Sequence, residues 1–138
     1  MKKSSSHIIL FVVVTLLTGC GDIVETNYST KSKAQDDNLF QRGWLPSFIP
    51  ESSRSLIVKN DLDSNSSSGE FYFSTKELKS FLKYLKEMDA DLSFNKAFLK
   101  AYEKQGYSPY RYVNSDSSWI FLIDKKNGHS VYYMKCNQ

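Results

Sequence analysis

The segment DLDSN carries three oxygen-bearing side chains at alternate positions, Asp61, Asp63 and Asn65. Oxygen ligands with this spacing occupy the first, third and fifth positions of a calcium-binding EF-hand loop. Such a loop needs glycine at the next position and a bidentate glutamate at its end, where this chain has Ser66 and Tyr72. Because Asp, Ser and Asn are also common turn residues, we expect a turn here. A weak, irregular cation site is the alternative.

Other side chains capable of catalysis form no recognisable set. Asp61, Asp63 and Glu70 could in principle supply the two carboxylates of glycoside hydrolysis, but nothing in their spacing assigns these roles. His129 stands beside a predicted turn, and we expect it to be exposed, without a nucleophile or a buried carboxylate as a partner. The sequence therefore predicts no catalytic residues and no cofactor.

The N-terminal segment has the layout of an export signal, with basic residues before an apolar run and small residues after it. The apolar run Ile8–Leu17 follows Lys2 and Lys3, and at roughly 1.5 Å per residue it is too short to cross a ~30 Å hydrocarbon core comfortably. The sequence LTGC at residues 17–20 resembles the bacterial lipobox. This resemblance implies that residues 1–19 are removed and that Cys20 is lipidated. An ordinary cleaved signal and an uncleaved anchor are the alternatives.

A lipid on Cys20 predicts a location in the cell envelope. Two or more acyl chains anchor a protein stably at a membrane surface, whereas one chain holds it only marginally. In bacteria with two membranes, lipoproteins that stay at the inner membrane tend to carry Asp after the cysteine, and this chain has Gly21 there. The resemblance therefore favours the outer membrane if the cell has one.

Charge and ligand content argue against two classes of protein. Of the 18 basic residues, Lys2 and Lys3 lie in the signal, so the others nearly balance the 15 acidic residues. A nucleic-acid-binding protein would show a basic patch, so we expect no nucleic-acid partner. Without the signal, His129 is the only histidine, and Cys136 is the only cysteine besides Cys20. These are too few ligands for a zinc site within one chain.

Composition divides the remaining chain into a linker and a domain. Residues 20–38 are mostly polar, and such a segment buries too little apolar surface to order itself. We therefore expect a lipidated N-terminus followed by a flexible tether. Residues 39–138 have the length of a single globular domain.

Two amphipathic helices are predicted within the domain. Residues 74–89 place apolar side chains at helical spacing, and Ser74 with Glu77 has the spacing of a capping box. Residues 93–106 form the second helix, with Gly106 as its C-terminal stop. This helix is expected to bury a stripe that consists of Phe94, Ala97, Phe98, Ala101 and Tyr102.

The C-terminal segment predicts a β-hairpin around Asn127-Gly128, because this dipeptide favours a two-residue turn with positive φ at both positions. The turn places Lys126 opposite His129 and Leu122 opposite Tyr133. One face of the hairpin then carries Ile120, Leu122, Val131 and Tyr133. The other face, which should pack on the helices, carries Trp119, Phe121, Ile123, Tyr132, Met134 and Cys136. A buried, unreactive thiol is favoured for Cys136, with intermolecular pairing or reactivity as the alternative.

Three further strands are predicted at residues 54–60, 70–74 and 110–113, where β-rich runs lie between turn signals. The element order is then ββααβββ. This order predicts an α+β fold, with an antiparallel sheet of about five strands and two helices packed on one face.

A motif set near the start of the domain resembles a segment found in small bacterial envelope proteins. It consists of GWLP at residues 43–46, IPESS at 49–53 and DLDSN at 61–65, followed by Phe71 and Phe73. The resemblance covers about a quarter of the chain. It implies relationship but no activity, because that family has no chemistry to carry over.

Three function classes are consistent with these observations. A membrane-tethered envelope binding or interaction domain is the leading one, and an immunity-like lipoprotein that inhibits a toxin or hydrolase is the second. A glycan-binding or hydrolytic module is the third. If the helices cover one face of the hairpin, the other face can serve as a surface for an envelope protein partner. A sandwiched sheet whose two faces are both core is the alternative. The candidate residues are Tyr133, Ile120, Leu122 and Val131, with Tyr133 as the main anchor.

Overall fold

The structure, a computed structural model, describes residues 21–89 and 96–137. Within these ranges, seven antiparallel strands form one sheet in the order β1-β2-β3-β7-β6-β5-β4. The strands are β1 Ile23–Thr30, β2 Arg54–Asp61, β3 Ser66–Tyr72, β4 Lys86–Glu87, β5 Ser108–Val113, β6 Ser117–Asp124 and β7 His129–Cys136. The helices are α1 Lys31–Asp36, α2 Leu78–Leu82, which follows a 3-10 turn at Thr75–Glu77, and α3 Lys96–Glu103. None of the helices described is long and apolar enough to cross a membrane.

The main core lies on what we call the first face of the sheet. Side chains alternate between the two faces of a strand, and the first face carries Leu56, Val58, Phe71, Trp119, Phe121, Ile123, Tyr132 and Met134. Ala34 of α1, Phe81 of α2 and the connecting residues Leu39, Leu45 and Ile49 cover this face. Full burial of a large apolar side chain contributes roughly 1.5–3 kcal/mol. The first face therefore supplies most of the stability of the fold.

The opposite side of the sheet, which we call the second face, is covered by α3 alone among the described helices. Leu99 of α3 and Leu122 of β6 are buried there, and Ile120 and Val131 pack partly against them. The cover over the second face is much smaller than the cover over the first.

The predicted fold class is wrong, because the described chain is mostly β, with seven strands rather than five. The two predicted helices are also shorter than expected and do not pack on one face. α2 contacts the first face through Phe81, whereas α3 contacts the second face through Leu99. The predicted first helix ends at Leu82, and Lys86–Glu87 then pairs with β5 as a short edge strand.

The two strands missed by the sequence patterns are both edge strands. β1 and α1 lie within residues 20–38, where composition predicts a tether. β1 buries only Tyr28 and gains its order from a ladder with β2, so it shows no alternation of apolar residues. The Tyr28 hydroxyl donates to Asp37 Oδ2 at 2.5 Å. Residues 1–19 and Cys20 lie outside the described residues.

The predicted capping box does not form in the structure. The Ser74 side chain makes no cap hydrogen bond. The Glu77 carboxylate instead accepts from the backbone N–H groups of Glu51 and Ser52, at 3.0 and 3.1 Å. Glu77 therefore ties the 3-10 turn to the connection before β2, and the pKa of its carboxyl is lowered, chiefly by the hydrogen bond from Ser52.

The buried face of the second predicted helix is wrong in part, because only Tyr102 among the described residues of the predicted stripe packs against the buried cluster of Leu99 and Leu122. α3 buries Leu99, whereas Ala97 and Ala101 are exposed and Phe98 is 43% exposed. Phe94 lies outside the described residues. Gly106 has a φ of +91° just beyond the helix, in agreement with its predicted role as the C-terminal stop.

The faces of the C-terminal hairpin are confirmed, but its predicted register is wrong by two residues. Leu122 stands opposite Val131 rather than Tyr133. The reason is a longer turn over residues 125–128, in which Gly128 has positive φ but Asn127 does not. The Asp124 carboxylate accepts from the backbone N–H groups of residues 126 and 127, at 3.0 and 3.1 Å. A shift of two residues keeps each side chain on its face, so the apolar pattern cannot detect it.

Candidate functional site

A pocket of about 550 Å³ lies between α3 and the second face of the sheet. We call it the second-face pocket. Its volume lies within the range of roughly 300–1,000 Å³ that is common for ligand sites. Its lining residues come from β2, β3, β6, β7 and α3. They are Ile57, Lys59, Ser68, Gly69, Glu70, Phe98, Leu99, Tyr102, Ile120, Leu122, Val131, Tyr132 and Tyr133.

Strand register arranges the floor of the pocket as two rows of side chains. One row runs across the sheet through Lys59, Ser68, Tyr133 and Ile120, which stand opposite one another on successive strands. The parallel row contains Ile57, Glu70, Val131 and Leu122. The floor is therefore apolar on β6 and β7, where α3 covers it, and largely polar on β2 and β3.

The apolar half of the floor unites the four partner-binding residues predicted from the hairpin, which are Ile120, Leu122, Val131 and Tyr133. Leu122 is buried under Leu99 of α3, whereas Tyr133 is 37% exposed. The second face is thus neither a fully open patch nor a closed core. It is a partly covered surface with an open pocket.

The polar half of the floor adjoins a chain of hydrogen bonds through Glu70, His129 and Tyr107. His129 Nε2 is 3.2 Å from Glu70 Oε2, and His129 Nδ1 is 2.7 Å from the Tyr107 hydroxyl. The imidazole also stacks on Tyr72, with ring centroids 4.4 Å apart. His129 is only 8% exposed, so the expectation that it is an exposed turn residue is wrong. Its contact with Tyr72, the residue opposite it on β3, determines its burial, rather than the adjacent turn.

Burial raises the pKa of the Tyr107 hydroxyl, and the charge of Asp124 adds to the shift. Tyr107 therefore stays a phenol and can donate its proton to His129 Nδ1 when the imidazole is neutral. In that tautomer, Nε2–H donates to Glu70. This series of hydrogen bonds orients the Glu70 carboxylate at the edge of the pocket. No serine, threonine or cysteine is among its three residues.

Charges in the polar half are unequally compensated. Lys59 Nζ lies 3.4 Å from Glu25 Oε2. Among the described residues, the Glu70 carboxylate pairs with His129 and with no lysine or arginine. The Glu70 side chain is 39% exposed, so its carboxylate is accessible from the pocket.

The candidate cation ligands Asp61, Asp63 and Asn65 lie in the β2–β3 turn, away from the pocket lining. Asp61 Oδ1 accepts from the backbone N–H groups of Asp63 and Ser64, at 3.0 and 3.2 Å. Its hydrogen bonds with Ser64 lower the pKa of the Asp61 carboxyl. Asn65 has a φ of +47°. The predicted turn is confirmed, and in the described ranges no three His, Cys, Asp or Glu side chains are grouped as metal ligands.

Cys136 is half-buried rather than fully buried, and it stands opposite Ser117 instead of Trp119. The Ser117 hydroxyl donates to its Sγ at 3.7 Å. The thiol lies away from the second-face pocket.

Several pocket residues were not singled out by the sequence patterns. Lys59 and Ser68 face each other across the local β2–β3 pairing, and only the long-range β3–β7 pairing brings them to the hairpin residues. The predicted stripe of α3 left out Leu99. The alternation in β2 and β3 could have placed Ile57, Lys59, Ser68 and Glu70 on one face. Their position beside Tyr133 depends on the β3–β7 pairing, for which no local signal exists.

The fold and the pocket define a small antiparallel β domain with an open cavity on one face. Residues 22–72, which contain β1, α1, β2 and β3, match the family model of the YbbD head domain, a bacterial family. The motif set GWLP, IPESS and DLDSN lies within this match, and the family suggests a bacterial envelope-related protein. Searches of curated proteins and of solved structures found no match. The match contains the polar half of the pocket floor but not the apolar half.

Proposed function

We propose that this protein is an envelope binding domain, held at a membrane by a lipid on Cys20, that binds an apolar group of an envelope partner in the second-face pocket. The pocket itself is the observation that carries the proposal. Apolar side chains of four elements, β2, β6, β7 and α3, converge on it, yet α3 leaves it open. A purely structural sheet face would be expected to be filled by its own cover, since protein interiors are close-packed.

The exposed aromatic side chains around the pocket support this role. Tyr133 is 37% exposed and Phe98 is 43% exposed, and both line the pocket. Aromatic residues in or beside a pocket frequently contribute most of the binding energy of an interface. An immunity-like inhibitor would use the same site, and the identity of the partner would distinguish it from a structural component.

Substitution of Tyr133 tests the proposal. Tyr133→Ala should weaken capture of the partner by more than about 1 kcal/mol, and it should cost less stability than the roughly 3 kcal/mol or more expected for a buried aromatic residue. In-cell crosslinking followed by mass spectrometry measures capture, and urea denaturation measures stability.

Leu62→Ala is a suitable control, because Leu62 is 49% exposed in the β2–β3 turn and does not line the pocket. It should alter neither capture nor stability much. Equal partner recovery with Tyr133→Ala and with the wild type would contradict the proposed role of the pocket.

A further inference from the structure

The charge of the second-face pocket restricts what it can bind. Lys59 is already within 3.4 Å of Glu25, whereas Glu70 has only the His129 imidazole as an ion-pair partner among the described residues. Since no lysine or arginine of the described residues pairs with Glu70, the polar half of the floor presents a carboxylate without a permanently charged partner. A negatively charged ligand group would be repelled by it, and a positively charged group would be attracted.

The walls of the pocket have the same preference. Phe98 and Tyr102 of α3 and Tyr133 of β7 place three aromatic rings around the cavity, and the faces of such rings attract organic cations. Ile120, Leu122 and Val131 form an apolar surface beside them. A carboxylate, aromatic rings and an apolar floor therefore meet in one cavity.

From this combination we infer that the group bound in the second-face pocket is an organic ammonium ion on an apolar stem. The ammonium lies toward Glu70, and the stem lies on Ile120, Leu122 and Val131 under α3. Ser68, beside Glu70 on β3, can accept a further hydrogen bond from the ammonium. The inference rests on the proposed function, because it names the chemistry of the group that the partner presents.

Three ligands of similar shape and different charge test the inference on the full chain in detergent. They are 2-phenylethylamine, 2-phenylethanol and 3-phenylpropionate, and isothermal titration calorimetry gives their dissociation constants after subtraction of the heat into detergent alone. We expect the amine to bind about ten-fold more tightly than the alcohol, since a hydrogen bond to a charged group is worth more than a neutral one. The carboxylate should bind most weakly.

Two variants assign the binding to the pocket. Glu70→Gln should reduce the affinity for the amine to about that for the alcohol, a roughly ten-fold loss, and leave the alcohol unchanged. Glu87→Gln, on exposed β4 outside the pocket lining, removes the same charge and should change neither. Ile120→Trp should fill the cavity and abolish binding of both ligands.

The inference is overturned if none of the three ligands binds, or if the carboxylate binds as tightly as the amine. Amine binding that survives Ile120→Trp overturns it as well. If Glu70→Gln does not fold, the comparison of the three ligands on the wild-type chain decides the matter. Loss of partner capture in Tyr133→Ala without amine binding would refute this inference alone, whereas amine binding with unaltered capture in Tyr133→Ala would refute the proposed function.

Discussion

At the scale of single residues, some polar side chains for which the sequence predicts no tertiary contact form long-range contacts. Lys31 lies in the expected tether, yet it is 5% exposed and donates to the Ile49 carbonyl at 2.9 Å. Its ammonium also pairs with Glu51. A lysine is rarely buried without such partners, and no sequence pattern reveals which carbonyl it will meet.

Glu77 provides a test of pH dependence at this scale. Because its pKa is lowered from 4.5 by hydrogen bonds with Ser52 and Glu51, the folded state favours the ionised carboxyl. Its contribution is therefore fully present above about pH 4.5 and is lost as pH falls through the lower, folded-state pKa. Glu77→Gln should reduce the free energy of unfolding by about 1–3 kcal/mol at pH 7.

Urea denaturation at pH 7 and at pH 3 measures this difference, which should be smaller at pH 3 because the stabilisation from the ionised carboxyl declines below about pH 4.5, the ordinary pKa of glutamate. Glu103→Gln, at the exposed end of α3, is the control and should have little effect at either pH. A Glu77→Gln effect that stays constant between the two pH values would argue against an ionised carboxylate as the acceptor.

At the scale of secondary structure, the patterns predict elements whose order is local. Strand β2, the turn at Asp61–Asn65 and both faces of the C-terminal hairpin follow from alternation and from turn residues. β1 and β4 do not, because edge strands are stabilised mainly by pairing with a neighbour. The ends of α2 and the buried face of α3 also depend on tertiary contacts, which override helical spacing.

Gly128 allows a test of the hairpin turn. It has a φ of +67°, and a Cβ at this position would lie 2.1 Å from the Phe73 carbonyl oxygen. Gly128→Ala should therefore combine the cost of a left-handed alanine, roughly 1–2 kcal/mol, with a steric clash of about 1–3 kcal/mol.

Gly43→Ala separates these two costs. Gly43 has a similar φ of +79°, but a Cβ there would meet no atom within 4 Å, so only the conformational cost should remain. Thermal or urea unfolding of both variants gives the comparison. Equal destabilisation of the two variants would show that the Phe73 contact is not as tight as the geometry indicates.

At the scale of the whole molecule, the candidate site could be predicted only in part. The hairpin pattern indicates Ile120, Leu122, Val131 and Tyr133 as a surface group, and they do share the pocket floor. The opposite half of that floor comes from β2 and β3, and the cover comes from α3. Their convergence is a property of the strand order, which places β3 beside β7 across more than 50 residues of chain.

The position of β1 bears on how the molecule meets a membrane. Ile23 and Val24, at the start of this edge strand, are 62% and 50% exposed, and they follow Cys20 closely in the chain. If Cys20 carries the lipid, only about 10 Å of extended chain separates it from the sheet, at roughly 3.3 Å per residue. The exposed pair would then lie near the lipid headgroups, where apolar side chains lose less by exposure.

Lipidation itself is the last prediction. Metabolic labelling with a fatty acid should mark the wild-type protein and lose the mark in Cys20→Ser, and that variant should leave the membrane fraction, because acyl chains supply about 0.8 kcal/mol per buried CH₂. Cys136→Ser is the matched control: its half-buried thiol lies within β7, so the label and the membrane association should both persist. Mass spectrometry of the purified wild type should show a chain that begins at Cys20. A chain that retains Met1, or a label that persists in Cys20→Ser, would show that the lipobox resemblance is misleading and that any membrane contact must come from another part of the molecule.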